Sequence, residues 1–307
     1  MNEQQYRAAL LPPKGCVDVI LDTDAYNELD DQFALAYMLR ATDRLNPVGI
    51  TAAPFFNSNS SSPEDGMLRS YDEILKILRL AERTDLCDRV FYGSRAYLAD
   101  ERMPQPSDAA DFICRQAAGY SADRPLYIVA IGAITNVASA LLMHPEIADR
   151  VVIVWLGGHA HHFRDTREFN MWQDVAAARV VFLSGAPIIQ LPCMGVVSEF
   201  RISGPELNCW LAGKNPLADY LARNTVEAVE RYAKGRPWTR VIWDVTAVAY
   251  LLNEDDCFMR AELRPIRLPG YDGQYEKEET AREYVYVSEI YRDALMGDLI
   301  RRLREED

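Results

Sequence analysis

Basic residues are the scarce charge in this chain. Thirty-three Lys+Arg face 46 Asp+Glu over 307 residues, a formal net charge of −13. Gripping a nucleic acid needs clustered Lys and Arg to neutralise phosphates, so the shortage argues against a polyanionic partner. Long apolar runs are missing too. Val17–Leu21, Leu126–Ile131 and Val151–Leu156 are the most apolar stretches, far short of the roughly 20 residues of a membrane span. The first fifteen residues, MNEQQYRAALLPPKG, contain no long apolar core and do not read as a signal peptide. The six cysteines are scattered at 16, 87, 114, 193, 209 and 257 with no C-x-x-C pair. That spacing excludes a disulfide framework and a structural zinc site, and suits reduced thiols in the cytoplasm. Histidine is nearly absent: four residues, three of them at 159, 161 and 162.

What is present is a regular alternation. Short apolar runs at Val17–Leu21, Val48–Ala53, Val90–Tyr92, Leu126–Ile131, Val151–Leu156 and Pro187–Leu191 read as strands. Helical spacing over Asp30–Leu39, Met67–Arg83, Asp108–Ala118, Thr135–Met143 and Trp172–Leu183 separates them. Such alternation predicts βαβ units and an α/β fold with a mainly parallel central sheet flanked by helices. Past residue 200 the pattern turns mostly helical, at Leu217–Ala233 and Trp243–Leu252, with a late strand pair expected within Gln274–Tyr286. No linker divides the chain, so residues 1–307 read as one domain.

The sharpest local feature follows the first strand. Leu21–Asp31 reads LDTDAYNELDD, with five acids in the ten positions from Asp22 on, between a buried strand and a helix. Taken one by one, Asp30 and Asp31 would only start a helix, and Asp22 and Asp24 would sit in solvent. Taken together at a strand's carboxyl end, where α/β sheets bind ligands, they repel one another and lose hydration. A hard divalent cation such as Ca²⁺ or Mg²⁺ relieves that repulsion.

This segment resembles the amino-terminal motif of the inosine-uridine-preferring nucleoside hydrolases: apolar strand, D-T-D, short turn, D-D. Four further segments are similar to that family in the same order. They are LYIVAIGAITNVASALLMHPEIAD (126–149), VVIVWLGG (151–158), EFNMWQDVAAA (168–178) and WDVTA (243–247). The resemblance spans roughly residues 17–255 and implies a metal-dependent hydrolase that cleaves the N-glycosidic bond of a ribonucleoside. It implies a Ca²⁺ ion, with Mg²⁺ the alternative, held by Asp24, Asp31, Asp244 and the carbonyl of Ile131, with Asp22 in support. It further implies Asp24 as general base on a water, and Asp30, Asn57, Glu168 and Asn170 as substrate-binding residues. Asp30 would take the ribose 2′-hydroxyl; Glu168 and Asn170 would hold the 3′ and 5′ hydroxyls. The partner implied is a small nucleoside or ribosyl compound, and relatives are commonly dimers or tetramers.

Several positions depart from the family pattern. The turn between Asp24 and Asp30 holds five residues, AYNEL, where three are usual, which brings Asn27 and Glu28 into the site region. His162 stands where an Asn is usual, and Trp243 where a leaving-group histidine is usual. The family's early histidine–glycine pair has no counterpart between Gly93 and Asp108. Either the His159–His162 cluster supplies an acid, with His162 the candidate, or the leaving group departs without one. Trp243 could instead stack on an aromatic base. Asn136 reads as a helix-start residue, and Asp244 as a helix N-cap as well as a metal ligand. Two other readings compete. One is a ribose- or nucleoside-binding protein that has lost catalysis. The other is a haloacid-dehalogenase-type phosphatase, which D-T-D after a strand also suits, although Tyr26 does not fit its motif.

Overall fold

The computed structural model of the chain describes residues 1–305, the side chains at 278–281 aside. Eight strands form one sheet: β1 (Val17–Thr23), β2 (Leu45–Ala52), β3 (Val90–Phe91), β4 (Leu126–Ala130), β5 (Val151–Leu156), β6 (Ile188–Leu191), β9 (Met259–Pro269) and β10 (Tyr275–Ile290). Their spatial order is β3-β2-β1-β4-β5-β6-β10-β9. Every neighbouring pair is parallel except β9–β10. A strand covered on both faces carries apolar residues continuously, and β4, β5 and β6 are buried along their whole length. A second sheet pairs β7 (Arg201–Ser203) with β8 (Thr239–Val241) antiparallel.

The helices are α1 (Glu3–Ala9), α2 (Asp30–Arg40), α3 (Pro63–Leu80), α4 (Asp108–Ala117), α5 (Thr135–Met143), α6 (Phe169–Gln173), α7 (Val175–Leu183), α8 (Gly204–Trp210), α9 (Pro216–Ala233), α10 (Val245–Tyr250) and α11 (Arg292–Arg304). They flank the sheet in two groups. Helix α5 packs on α4 and α7, whereas α2 packs on α3, α9, α10 and α11.

The topology places the site. From β1 the chain winds outward through β2 to β3, then returns to lay β4 on the other side of β1. The first crossovers leaving β1 and β4 therefore diverge, and a crevice opens between the carboxyl ends of the two strands. Asp22 and Thr23 end β1, and Ile131 follows β4. The backbones are tied there, because Ile131 N–H donates to the Asp22 carbonyl at 2.8 Å.

Local chemistry moves several boundaries away from the hydrophobic pattern. The helix expected over Met67–Arg83 starts four residues earlier: the Ser62 side chain accepts from Asp65 N–H, with Pro63 at the first helical position. The single helix expected over Trp172–Leu183 is two helices, broken at Asp174 (φ −143°, ψ 76°), whose side chain caps α7. The late strand pair is wider than Gln274–Tyr286: all of that stretch but Gln274 belongs to β10, whose partner is β9 at Met259–Pro269. Among the described residues no helix is long and apolar enough to cross a membrane.

Candidate active site

The five acids of the 21–31 segment are all buried but one. Asp22, Asp24, Asp30 and Asp31 are at most 3% exposed, and Asp244, from the start of α10, joins them at 3%; Glu28 is exposed. Asp30, Asp31 and Asp244 each bring a carboxylate oxygen within 4.8 Å of the other two, and Asp31 lies against Asp24 as well. Asp244 occupies an N-cap position, yet its side chain makes no cap hydrogen bond; it turns to the acids instead. Gly132 lets Asp24 in: a Cβ on this residue would stand 3.1 Å from the Asp24 carboxyl carbon.

Asp22 forms the floor. Its Oδ1 accepts from the Thr51 hydroxyl at 2.6 Å and from Asn136 Nδ2 at 2.8 Å. Asn136 is indeed near the start of α5, but its amide is a strut: it also donates to the Ala52 carbonyl and accepts from Ser94 N–H. Thr23 donates to Asp31 Oδ1 at 2.5 Å. Against these, Asp22 Oδ2, both oxygens of Asp24, and Asp30 Oδ1 are buried with no hydrogen-bond partner among the described residues. Buried acceptors without donors are costly. Four orphaned oxygens on three buried acids of one short segment are what a hard cation with oxygen ligands would satisfy.

The electrostatics agree. Burial, opposed by the Asn136 and Thr51 hydrogen bonds, pushes Asp22 up to about 6. Burial first, then the charges of Glu28 and Asp31, pushes Asp30 up to about 8. Asp31 rises to about 7 by burial, opposed by its hydrogen bonds. Asp24 and Asp244 rise by burial and by repulsion from the neighbouring acids.

Asp24, Asp30, Asp31, Asp244, Ile131, Asn57, Glu168, Asn170 and Trp243 line one cavity of about 260 Å³. A larger opening of about 840 Å³ lies at the opposite, amino ends of β1 and β4, beside Lys14, Asp18 and Tyr120. It gathers no buried acid, so the smaller cavity is the functional candidate. Glu168 is fixed as the N-cap of α6, accepting from Asn170 and Met171 N–H at 2.9 Å each and from Gly158 N–H at 2.8 Å. Gly158 presents that N–H from a positive φ of 77°, a conformation glycine adopts without strain. Asn170 Nδ2 bridges the carbonyls of Ile131 and Leu156, at 3.2 and 3.0 Å.

Two of the residues that the sequence points to do not line the cavity. Asp22 sits beneath it. His162 is exposed and rests beside Gly195 and Phe163. Its near neighbour His159 lines the wall instead, with Nδ1 accepting from Met194 N–H at 3.4 Å and burial lowering its pKa. Phe169, Cys193 and Met194 also line the cavity and are not expected from the sequence. The strand-end rule could have found the last two, since they closely follow β6. The longer turn does reach the site: Asn27 and Glu28 are both in the lining, and Asn27 Oδ1 accepts from Asn57 Nδ2 at 2.6 Å.

The sequence profile of the family described as inosine-uridine preferring nucleoside hydrolase matches residues 19–300. The chain belongs to that family. As a member it is an enzyme, an N-glycosyl hydrolase. One relative, a pyrimidine-specific ribonucleoside hydrolase (RihA) of Shewanella sp. strain MR-4, is 26% identical over 275 residues, covering 80% of this chain and 82% of the relative. Among solved structures, the plant nucleoside hydrolase PpNRh1 superposes with a TM-score of 0.74 at 20% identity, covering 94% of this chain and 99% of that one. A purine-preferring ribonucleoside hydrolase from Gardnerella vaginalis gives 0.72 at 22% identity, covering 94% and 98%. At those identities the superpositions establish the hydrolase fold, and the family match carries the chemistry class.

Proposed function

We propose that this hydrolase cleaves the N-glycosidic bond of a ribonucleoside or related ribosyl compound, releasing ribose and a free base. The observation that supports this reading most strongly is the set of orphaned carboxylate oxygens of Asp22, Asp24 and Asp30, buried beside Asp31 and Asp244. Asp24, Asp31, Asp244 and the Ile131 carbonyl would hold a Ca²⁺ ion, with Asp22 supporting from below; Mg²⁺ is the alternative. When bound, such an ion neutralises the crowded carboxylates and acidifies water.

The chain's own groups account for the rest. Asp24 has both oxygens free of donors and accepts the proton of the attacking water. Asp30 orients the ribose 2′-hydroxyl, and Glu168 and Asn170 take the 3′ and 5′ hydroxyls. Asn57, braced by Asn27, closes the side of the sugar pocket, and Trp243 offers a face on which a base can stack. The ring of acids stabilises an oxocarbenium-like, positively charged sugar in the transition state. A net negative pocket suits a neutral nucleoside better than a phosphorylated one. On the resemblance to the family we also read residues 1–307 as one domain, consistent with a hydrophobic cluster running from Tyr6 to Leu303, and we read the protein as a cytoplasmic homodimer or homotetramer.

The test is reducing-sugar release from a panel of purine and pyrimidine nucleosides, with and without chelator, for the wild type and Asp24→Ala. Chelator-sensitive release that Asp24→Ala abolishes is the expected result. Phosphate release from sugar phosphates without ribose release would point to the phosphatase reading. Tight nucleoside binding with no turnover across the panel would point to a binding protein.

A further inference from the structure

Two of the positions at which this chain departs from its family face the same cavity. Glu28, brought in by the five-residue turn, is in the lining, and so is Trp243, which replaces the expected leaving-group histidine. Arg240 joins them. It lies on β8, three residues before Trp243, and its Nη2 donates to the Glu28 carboxylate. Its side chain is 22% exposed, and Nε is buried with no acceptor among the described residues. Asp30 and Glu28 both favour its charged state, and Tyr232 lies against it. Glu28 therefore uses only part of a guanidinium that has five N–H donors.

We propose that Arg240, positioned by Glu28, stabilises the negative charge that develops on the departing base. This inference rests on the hydrolase reading of the same site. Bond cleavage leaves the C1′–N electron pair on the base while the water oxygen bonds to C1′ and the water's proton passes to Asp24. The base then needs a proton or a cation. Trp243 can supply neither. His162 is outside the cavity, and His159 adjoins Gly158, whose N–H holds Glu168, the residue assigned to the ribose hydroxyls. Asp30, which the proposed reading places at the 2′-hydroxyl next to C1′, interacts electrostatically with Arg240, and this sets the guanidinium's charge on the C1′ side of the site. Arginine keeps its proton at any working pH. It acts as a fixed charge and hydrogen-bond donor, and the base anion takes its proton from solvent to give the neutral product.

A group that acts on the leaving base matters only when the leaving group is poor. The experiment compares kcat for inosine and uridine with kcat for 4-nitrophenyl β-D-ribofuranoside, whose phenolate departs without help, in the wild type, Arg240→Gln, Arg240→Lys and Glu28→Gln. Removing one such donor costs on the order of 10²–10³-fold in related settings. The expected result is a loss of that size for Arg240→Gln on nucleosides with less than about a tenth of it, as a fold-change, on the nitrophenyl riboside. Arg240→Lys should recover part of the loss, and Glu28→Gln should show a smaller loss with the same selectivity. Equal losses on both substrate types, or none on either, would overturn the assignment. Failure of the wild type to hydrolyse any of the three substrates would instead overturn the hydrolase reading beneath it.

Discussion

Both carboxylate oxygens of Asp24 are buried without a donor, and Asp31, Asp30 and Glu28 press negative charge on them. The residue is therefore a burden to the metal-free fold and, in the proposed reaction, the base. Asp24→Asn separates the two. It removes the charge while keeping the shape, so in chelator at pH 8 the variant should melt at a higher temperature than the wild type. Its kcat for ribose release should fall by about 10²–10⁴-fold, the usual worth of a general base. Paired melting curves and sugar-release rates check both halves; a lower Tm with turnover retained would contradict them. At this scale the acids were legible in the sequence because strand, D-x-D and D-D are contiguous. His159 and Asn136 were not. Which of three clustered histidines faces the cavity depends on how the loop after Gly158 folds over Met194. Asn136 works through Asp22 and Ser94, 114 and 42 positions away, and neither contact leaves a local sequence pattern.

Asp174 joins the elements around the site. Its Oδ1 caps α7 by accepting from Ala177 N–H at 2.9 Å. Its Oδ2 accepts from Leu98 N–H at 2.9 Å and from the Thr135 hydroxyl at 2.7 Å. One buried carboxylate thus ties α7, the 92–98 loop and the start of α5. Asp174→Ala removes a cap and strands two further buried donors, and should destabilise the fold by about 2–4 kcal/mol. Urea unfolding measures this; a change below about 0.5 kcal/mol, the level of an ordinary surface substitution, would mean that the ties are incidental. Element types were legible wherever an apolar run was uninterrupted, as in β4 and β5. The break at Asp174 was not, because Trp172–Leu183 keeps helical spacing across it and only the side-chain cap shows where the second helix starts. Strand β9 was missed because its residues alternate in charge rather than forming an apolar block, RAELRPIRL over 260–268. Its pairing to β10 supplies the order.

For the whole molecule, the raised acids make stability depend on pH in a definite direction. In the unfolded chain these aspartates ionise near about 4. In the fold Asp22, Asp31 and Asp30 titrate near 6, 7 and 8. Between about pH 4 and pH 8 the folded state holds protons that the unfolded state has released, so without a cation stability is fullest at the acid end and falls as pH rises. A divalent cation competes with those protons and binds more tightly as they leave. The metal-free Tm should therefore be lower at pH 8 than at pH 5.5, and added Ca²⁺ should raise it more at pH 8. A Ca²⁺ shift equal at both pH values, or larger at 5.5, would contradict this. The sheet was legible at this scale because alternation and strand-end chemistry are local. The cavity was legible only in part: Phe169 reaches it through the packing of α6, which no local pattern announces.

The central claim is that the converging acids work through a bound divalent cation. The most direct test measures bound calcium and the rate of ribose release in the same samples, as free Ca²⁺ is titrated into chelated enzyme. The expected result is one ion per chain, with the rate rising in proportion to occupancy. A full rate in samples that contain no bound metal would contradict the claim.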